Sequence, residues 1–193
     1  EVALTRGIAS SVQEVLSDKR DIIRADDADT AVFYSISNCQ SGLAGVSFGN
    51  SLIKQVVADL SRELPGLKTF VTLSPIPGLT RWGSETGAEI PDETPEQQRQ
   101  RAAHYLLRVK RGDGSPYDPV ARFHLGNGAV VHAVHAGADV SENGLAQSGG
   151  AMVNYLYDLS LITQNHERYA SKQTIAASPE VTALAKAVQK KTA

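Results

Sequence analysis

Hydrophobic positions repeat with two periods in the first part of this chain, which predicts alternating strands and helices. Ala31–Ser37 is a short run of β-branched and aromatic side chains, typical of a buried strand. Across Asn50–Leu64 apolar residues recur at helical spacing, with Asn50 as the N-cap and Pro65-Gly66 as the stop. Lys68–Leu73 reads as a second strand. These elements predict a β-loop-α-β unit whose two strands are parallel, with a right-handed crossover.

The rest of the chain predicts a helix, a hairpin and several further elements. Thr94-Pro95-Glu96-Gln97 combines an N-cap, a first-turn proline and a capping-box glutamine, and predicts a helix to about Arg111. Since Asn-Gly is a strong hairpin signal, two strands are predicted around Gly126-Asn127-Gly128. The other expected elements are a strand at Glu1–Leu4, a surface loop or linker at Gly83–Pro95, hairpin strands at Val120–Leu125 and Ala129–His135, and helices at about Gly149–Leu161 and Pro179–Lys190.

Composition narrows the class of protein. With 193 residues, 41% of them hydrophobic and 21% charged, the chain fits one globular domain. A net charge of -2 without a basic stripe argues against a nucleic-acid partner, and no apolar run approaches the length of a membrane span. The single cysteine, Cys39, fits a reducing compartment. Because neither a signal peptide nor a peroxisomal C-terminus is recognisable, we expect a cytoplasmic location.

A glycine-bearing loop lies between the first predicted strand and the helix after it, within Gln40–Asn50. Glycines let the backbone approach a phosphate closely, and a helix N-terminus favours its negative charge. The loop matches neither the Walker pattern nor the Gly-x-Gly-x-x-Gly dinucleotide pattern. An ordinary turn and a binding site for a phosphate-bearing carrier such as coenzyme A both remain open.

Ser74 and His124 are the candidate reactive residues. Ser74 follows the second strand of the unit, and the prolines of Ser74-Pro75-Ile76-Pro77-Gly78 restrict its backbone. His124 is predicted at a strand end beside the hairpin turn, where a histidine can serve as acid or base. Taken singly, each residue is more often structural. His132 and His135 are expected on opposite faces of a strand, which argues against a metal site.

Several motifs in this order resemble malonyl-CoA decarboxylases. They are Phe33-Tyr34-Ser35-Ile36-Ser37, Gly42-Leu43-Ala44-Gly45-Val46, Leu73-Ser74-Pro75-Ile76-Pro77-Gly78, Phe123-His124-Leu125 with Asn127-Gly128-Ala129, Ala138-Asp139-Val140-Ser141 and Asn154-Tyr155. The resemblance implies an α/β fold of the GNAT type, an acyl-CoA-binding mixed sheet flanked by helices. It further implies that residues 1–193 form one partial catalytic domain, without the family's N-terminal helical domain and the first part of its sheet.

The resemblance also implies the residues of a site. Ser74 and His124 correspond to the family's catalytic serine and histidine. Coenzyme A would be bound by Ala44, Gly45, Val46, Ser47, Phe48, Gly49 and Asn50, with Asn154 and Tyr155 as secondary pocket candidates. Between Leu79 and Arg122 this chain is shorter than the family usually is.

The activity implied is a carbon-carbon lyase of fatty acid metabolism that converts malonyl-CoA to acetyl-CoA and carbon dioxide. The thioester would itself be the electron sink, so no cofactor is expected, and a homo-oligomer, dimer or tetramer, is implied. Two alternatives stay open: an acyl-CoA acyltransferase on the same fold and a non-catalytic coenzyme A-binding domain.

Overall fold

A mixed six-stranded sheet flanked by α-helices forms the centre of the part of the chain that the structure describes. The structure, a computed structural model, describes residues 1–19, 22–36 and 49–188, without the side chains of residues 49–52. Its strands are β1 (Val2–Thr5), β2 (Thr30–Phe33), β3 (Thr69–Thr72), β4 (Ser74–Pro75), β5 (Val130–His135) and β6 (Met152–Leu156). Its α-helices are α1 (Val12–Leu16), α2 (Gly49–Glu63), α3 (Leu79–Thr86), α4 (Pro95–Arg108), α5 (Pro119–Gly126), α6 (Glu142–Ser148), α7 (Ile162–Lys172) and α8 (Pro179–Ala187), and Ala25–Asp27 forms a short 3-10 helix.

The predicted parallel unit is confirmed. Strands β2 and β3 pair in parallel, from Thr30 opposite Thr69 to Phe33 opposite Thr72. The predicted N-cap Asn50 is wrong, because α2 already begins at Gly49. Helix ends are the feature that a sequence pattern determines least well. The remaining strand pairs are antiparallel, in the order β1-β2-β3-β6-β4, with β5 on β6. The sheet is therefore mixed, as expected.

Side chains alternate across this sheet and build a core on each face. On β2, Val32 packs with Val71 and Met152 on one face. Ala31 and Phe33 point the other way, into the larger cluster that contains Val57 of α2. Burial on both faces gives the layered α/β arrangement that the continuous apolar runs predict.

The predicted strand Val120–Leu125 is wrong, because these residues form helix α5. Asp118 caps this helix and Pro119 occupies its first turn, a combination that starts helices. The hairpin prediction also fails on backbone geometry: Asn127 has φ −89°, whereas a type I′ turn requires positive φ at both central residues. Gly128, at φ +83°, instead ends α5, and Val130–His135 follows as the strand β5.

The predicted helix Gly149–Leu161 is also wrong. Gly149 and Gly150 have positive φ and end α6, which Ser141 caps. Strand β6 follows and pairs with β3, β4 and β5, and this pairing overrides the local pattern. Helix α7 comes after it and was not predicted.

Three further expectations have clear outcomes. The predicted loop Gly83–Pro95 is partly helical, because α3 continues to Thr86 before a loop begins. The capping box of α4 is confirmed, with Thr94 and Gln97 each bonded to the other's backbone amide. Strand β1 and helix α8 are confirmed as well. Within the described residues, no helix combines the length and apolarity needed to cross a membrane.

A buried ion pair joins the loop after α3 to α4. The Arg101 Nε and Nη2 atoms each lie 2.7 Å from an oxygen of Glu93, and the two side chains are only 10% and 11% exposed. Two parallel charge-assisted hydrogen bonds of this kind impose a defined geometry.

Replacing Arg101 should therefore destabilise the fold. Arg101→Met leaves Glu93 buried without its partner, and we expect the free energy of unfolding to fall by about 3 kcal/mol in urea titrations. The matched control is Arg62→Met, which removes the exposed pair with Asp59 and should cost less than about 1 kcal/mol. Similar losses in both variants would show that burial does not set the contribution of the Arg101–Glu93 pair.

Candidate active site

Ser74 lies directly beyond the carboxyl end of β3, as predicted. It is also the first residue of β4, where it pairs with Val153 of β6. Because strand side chains alternate, Thr72 and Ser74 share one face. The Ser74 hydroxyl donates to Oγ1 of Thr72 at 2.8 Å, and this same Thr72 oxygen accepts the amide of Tyr155 at 3.2 Å.

His124 reaches this serine from α5. Its Nε2 atom lies 3.2 Å from Oγ of Ser74, although fifty positions separate the two residues in the chain. His124 is 2% exposed and Ser74 5% exposed. The two residues predicted as catalytic are thus brought into hydrogen-bonding contact within the interior.

The other nitrogen of His124 bonds a residue that the sequence reasoning missed. Its Nδ1 atom lies 2.8 Å from the hydroxyl of Tyr157, while the ring of Tyr155 stacks on the imidazole at 4.4 Å between centroids. Tyr155 and Tyr157 stand two positions apart and so lie on one face of the extended chain. The Tyr-x-Tyr spacing could have indicated this residue, because it puts both tyrosines on one face of a strand. The prediction of a helix here placed them on different faces instead.

Hydrogen-bond partners assign the tautomer of His124. The Ser74 hydroxyl donates its hydrogen to Thr72, so its oxygen accepts from Nε2–H of His124. In the neutral ring Nδ1 then carries no hydrogen and accepts from the Tyr157 hydroxyl. A directed chain runs from Tyr157 through His124 and Ser74 to Thr72.

Burial determines the charge of this histidine. Loss of solvation lowers the pKa of His124 to about 3, so the imidazole is neutral near pH 7. Burial likewise raises the pKa of Tyr157, which keeps its hydroxyl protonated. A neutral imidazole whose N–H points at a serine oxygen can polarise a bound anionic group through a hydrogen bond, and proton donation requires the protonated ring.

Asn154 and Tyr155, the two secondary pocket candidates, have different positions. Tyr155 contacts His124, but Asn154 points to the opposite face of β6 because neighbouring strand residues alternate. Its amide nitrogen donates to the carbonyl oxygens of Thr72 and Ala9, and its oxygen accepts from Nε2 of His135. The described contacts of Asn154 hold backbone segments together, and its place in the pocket stays a prediction.

Most of the predicted coenzyme A loop, Ala44, Gly45, Val46, Ser47 and Phe48, lies outside the described residues, as does Cys39. Only the backbone of Gly49 and Asn50 is described, as the start of α2. Among the described residues, no group of three or more His, Cys, Asp or Glu side chains could hold a metal ion.

A comparison with family models identifies the group to which this arrangement belongs. The model described as the malonyl-CoA decarboxylase C-terminal domain matches residues 1–99 and 85–193, which together span the chain. This chain belongs to the malonyl-CoA decarboxylase family.

Individual relatives agree with the family assignment. Mitochondrial malonyl-CoA decarboxylase from Anser anser anser is 35% identical over 227 residues, covering 93% of this chain and 45% of the relative. The crystal structure of malonyl-CoA decarboxylase from Agrobacterium vitis is 49% identical with a TM-score of 0.87, covering 95% of this chain and 52% of that one. The chain thus spans about half the length of the relatives it matches.

The comparisons also bear on the fold and on the shortened middle of the chain. A GNAT-like decarboxylase, GphF, solved with isobutyryl-CoA, is 20% identical with a TM-score of 0.51, which supports the GNAT-like fold alone. The alignment with the Anser anser anser protein is longer than this chain of 193 residues, so the relative carries insertions. The two family matches overlap at residues 85–99, which include the loop between α3 and α4.

Removing the Tyr157 hydroxyl should redistribute the imidazole proton. Tyr157→Phe leaves Nδ1 of His124 without its donor, so the ring gains the Nδ1–H tautomer at the expense of Nε2–H. Nitrogen-15 NMR of the histidine side chains measures this shift, with the His124 signals identified by their loss in His124→Asn. Tyr117→Phe, which removes a hydroxyl that does not bond His124, should leave these signals unchanged.

Burial of His124 also predicts acid sensitivity. Its pKa is lowered from 6.5 to about 3 in the folded protein, so only the unfolded chain takes up this proton between these values. The contribution of His124 to the free energy of unfolding is therefore fully present above pH 6.5. It is lost as the pH falls towards about 3, by up to about 1.4 kcal/mol per pH unit. Urea unfolding at pH 7 and pH 5 measures the loss, which should be smaller in His124→Asn. An equal pH dependence in that variant would contradict the assignment to His124.

Proposed function

We propose that this chain carries the catalytic core of a malonyl-CoA decarboxylase, which converts malonyl-CoA to acetyl-CoA and carbon dioxide. The observation that carries the proposal is the buried hydrogen bond between Ser74 and His124, in a chain that belongs to this family. We further propose that residues 1–193 act as one catalytic domain, located in the cytoplasm of a bacterium and assembled as a homo-oligomer.

The chemistry requires one proton and a stabilised enolate. When the bond between the carboxylate and C2 breaks, its electrons move into the thioester and carbon dioxide departs. The resulting enolate takes one proton at C2 to give acetyl-CoA. Because the thioester carbonyl accepts the electrons, we propose that neither a metal nor an organic cofactor takes part.

His124 donates the proton to C2 in this proposal. Its Nε2–H already points towards Ser74, and the negative charge of a bound malonyl group favours the protonated imidazole, which counteracts the effect of burial. The ring regains its proton from solvent after each turnover. Positioned acid-base catalysis of this kind contributes about 10² to 10⁴ in rate.

Ser74 binds the malonyl group and assists the proton transfer. Its position at the end of β3 puts its hydroxyl beside Nε2 of His124, so one bound group can contact both. Backbone amides near β2 and β3 would stabilise the thioester oxyanion, each at about 10² to 10³ in rate.

Coenzyme A is bound in this proposal by Ala44–Asn50, through its pyrophosphate. The parallel pairing of β2 with β3 supports this arrangement, because the chain between β2 and α2 then leaves the same sheet edge as Ser74. The N-terminus of α2 at Gly49 presents backbone amides that favour a phosphate.

The test is an incubation with malonyl-CoA alone. Formation of acetyl-CoA and carbon dioxide without an acceptor supports the lyase, whereas a reaction that starts only with an added acceptor indicates an acyltransferase.

Ser74→Ala and His124→Asn should each lower kcat by at least about 10²-fold while coenzyme A still binds. The matched controls are the exposed Ser84→Ala and the half-buried His132→Asn, which should retain activity. If the wild-type chain binds coenzyme A but leaves malonyl-CoA unconverted both with and without an acceptor, the catalytic proposal is wrong. The chain would then be a coenzyme A-binding domain.

A further inference from the structure

We propose that Asp118 is a positioning residue that holds the helix of His124 at a fixed separation from the segment of Ser74. Its two carboxylate oxygens face the two parts of the site. Where activity is the measurement, this inference rests on the proposed function.

One carboxylate oxygen holds the start of α5. Asp118 is the N-cap residue, and its Oδ1 atom accepts the amide of Ala121 at 2.8 Å. The bond fixes the first turn of the helix that presents His124 in its last turn. A displacement of the cap would therefore move the imidazole with it.

The other oxygen faces the end of the Ser74–Gly78 segment. A Cβ atom at Gly78 would lie 3.9 Å from Oδ2 of Asp118 and 2.2 Å from the Tyr105 hydroxyl, so both polar groups approach this glycine. Asp118 is fully buried, and neither Oδ2 nor the Tyr105 hydroxyl has a hydrogen-bond partner in the described part of the chain. Tyr105 comes from α4, so three separate segments meet here.

Capping alone does not explain a carboxylate at this position. Helices α4, α6 and α8 are capped by Thr94, Ser141 and Ser178, each through a single hydroxyl oxygen. A serine would cap α5 in the same way without burying a second oxygen. Burying a carboxylate is costly, and burial raises the pKa of Asp118, while the amides of Ala121, Val120 and Gly78 act against that rise. The second oxygen therefore acts on the amide of Gly78, through charge attraction rather than a formed hydrogen bond, and faces the Tyr105 hydroxyl.

This link bears directly on the contact between the two reactive side chains. Ser74 precedes Gly78 by four residues, two of them proline, so fixing Gly78 also restrains Ser74. A hydrogen bond of 3.2 Å between Ser74 and His124 requires both backbones to be fixed. A misplacement of about 1 Å between reacting groups can cost about 10² in rate.

The test uses Asp118→Ser, which keeps an oxygen for the cap and removes the second one. The matched control is Ser178→Ala, which removes the cap of α8 away from Gly78. We expect Asp118→Ser to lower kcat for malonyl-CoA by about 10-fold or more with KM changed less than about 3-fold. We also expect it to shift the nitrogen-15 signals of His124, while the control changes neither kcat nor these signals. Tyr105→Phe should act in the same direction.

The outcomes separate this inference from the proposed function. If the wild-type chain decarboxylates malonyl-CoA and Asp118→Ser retains wild-type kcat and His124 signals, positioning by Asp118 is overturned and the function stands. If the wild-type chain is inactive, the function fails, and the His124 signals alone decide the role of Asp118. Should Asp118→Ser not fold, Tyr105→Phe decides: unchanged His124 signals overturn the inference, and shifted signals support it.

Discussion

Two hydrogen bonds, one at each ring nitrogen, hold His124 where solvent does not reach it. A buried imidazole with an unpaired nitrogen would be costly, so the surrounding structure has to supply both partners. Tyr157 supplies one and Ser74 the other. Strands β3, β4 and β6 meet this requirement, since their pairing brings the serine and the tyrosine to the two nitrogens of one ring.

The helix that carries His124 is restrained at both ends. Asp118 caps its start, and α7 covers its end. Nδ1 of His166 lies 2.6 Å from the carbonyl oxygen of Gly126. The side-chain amide of Asn165 donates to the carbonyl oxygen of Gly128 at 3.3 Å. Gly128 has to be a glycine because a Cβ atom there would lie 2.2 Å from the carbonyl oxygen of Ile162. A helix of only eight residues gains its stability from such contacts more than from its own hydrogen bonds.

The range of the contacts that decide each element explains which local predictions succeeded. The capping box at Thr94 and the apolar face of α2 are decided by neighbours within four residues, and both were predicted correctly. Asn127-Gly128 and Gly149–Leu161 were predicted incorrectly, because a glycine with positive φ can end a helix as well as turn a hairpin. At Met152–Leu156 three antiparallel partners, β3, β4 and β5, compensate for the weak local pattern.

Sequence alone determined the β-loop-α-β unit, the family resemblance and the two residues proposed to react, Ser74 and His124. These features depend on short-range periodicity and on an ordered set of motifs, which a chain carries without being folded. Tertiary structure decided that the histidine lies on a helix, that Tyr157 bonds it, and that Asn154 points away from it. Those facts depend on contacts between residues far apart in the chain, whose geometry is set when the sheet pairs and water leaves the core.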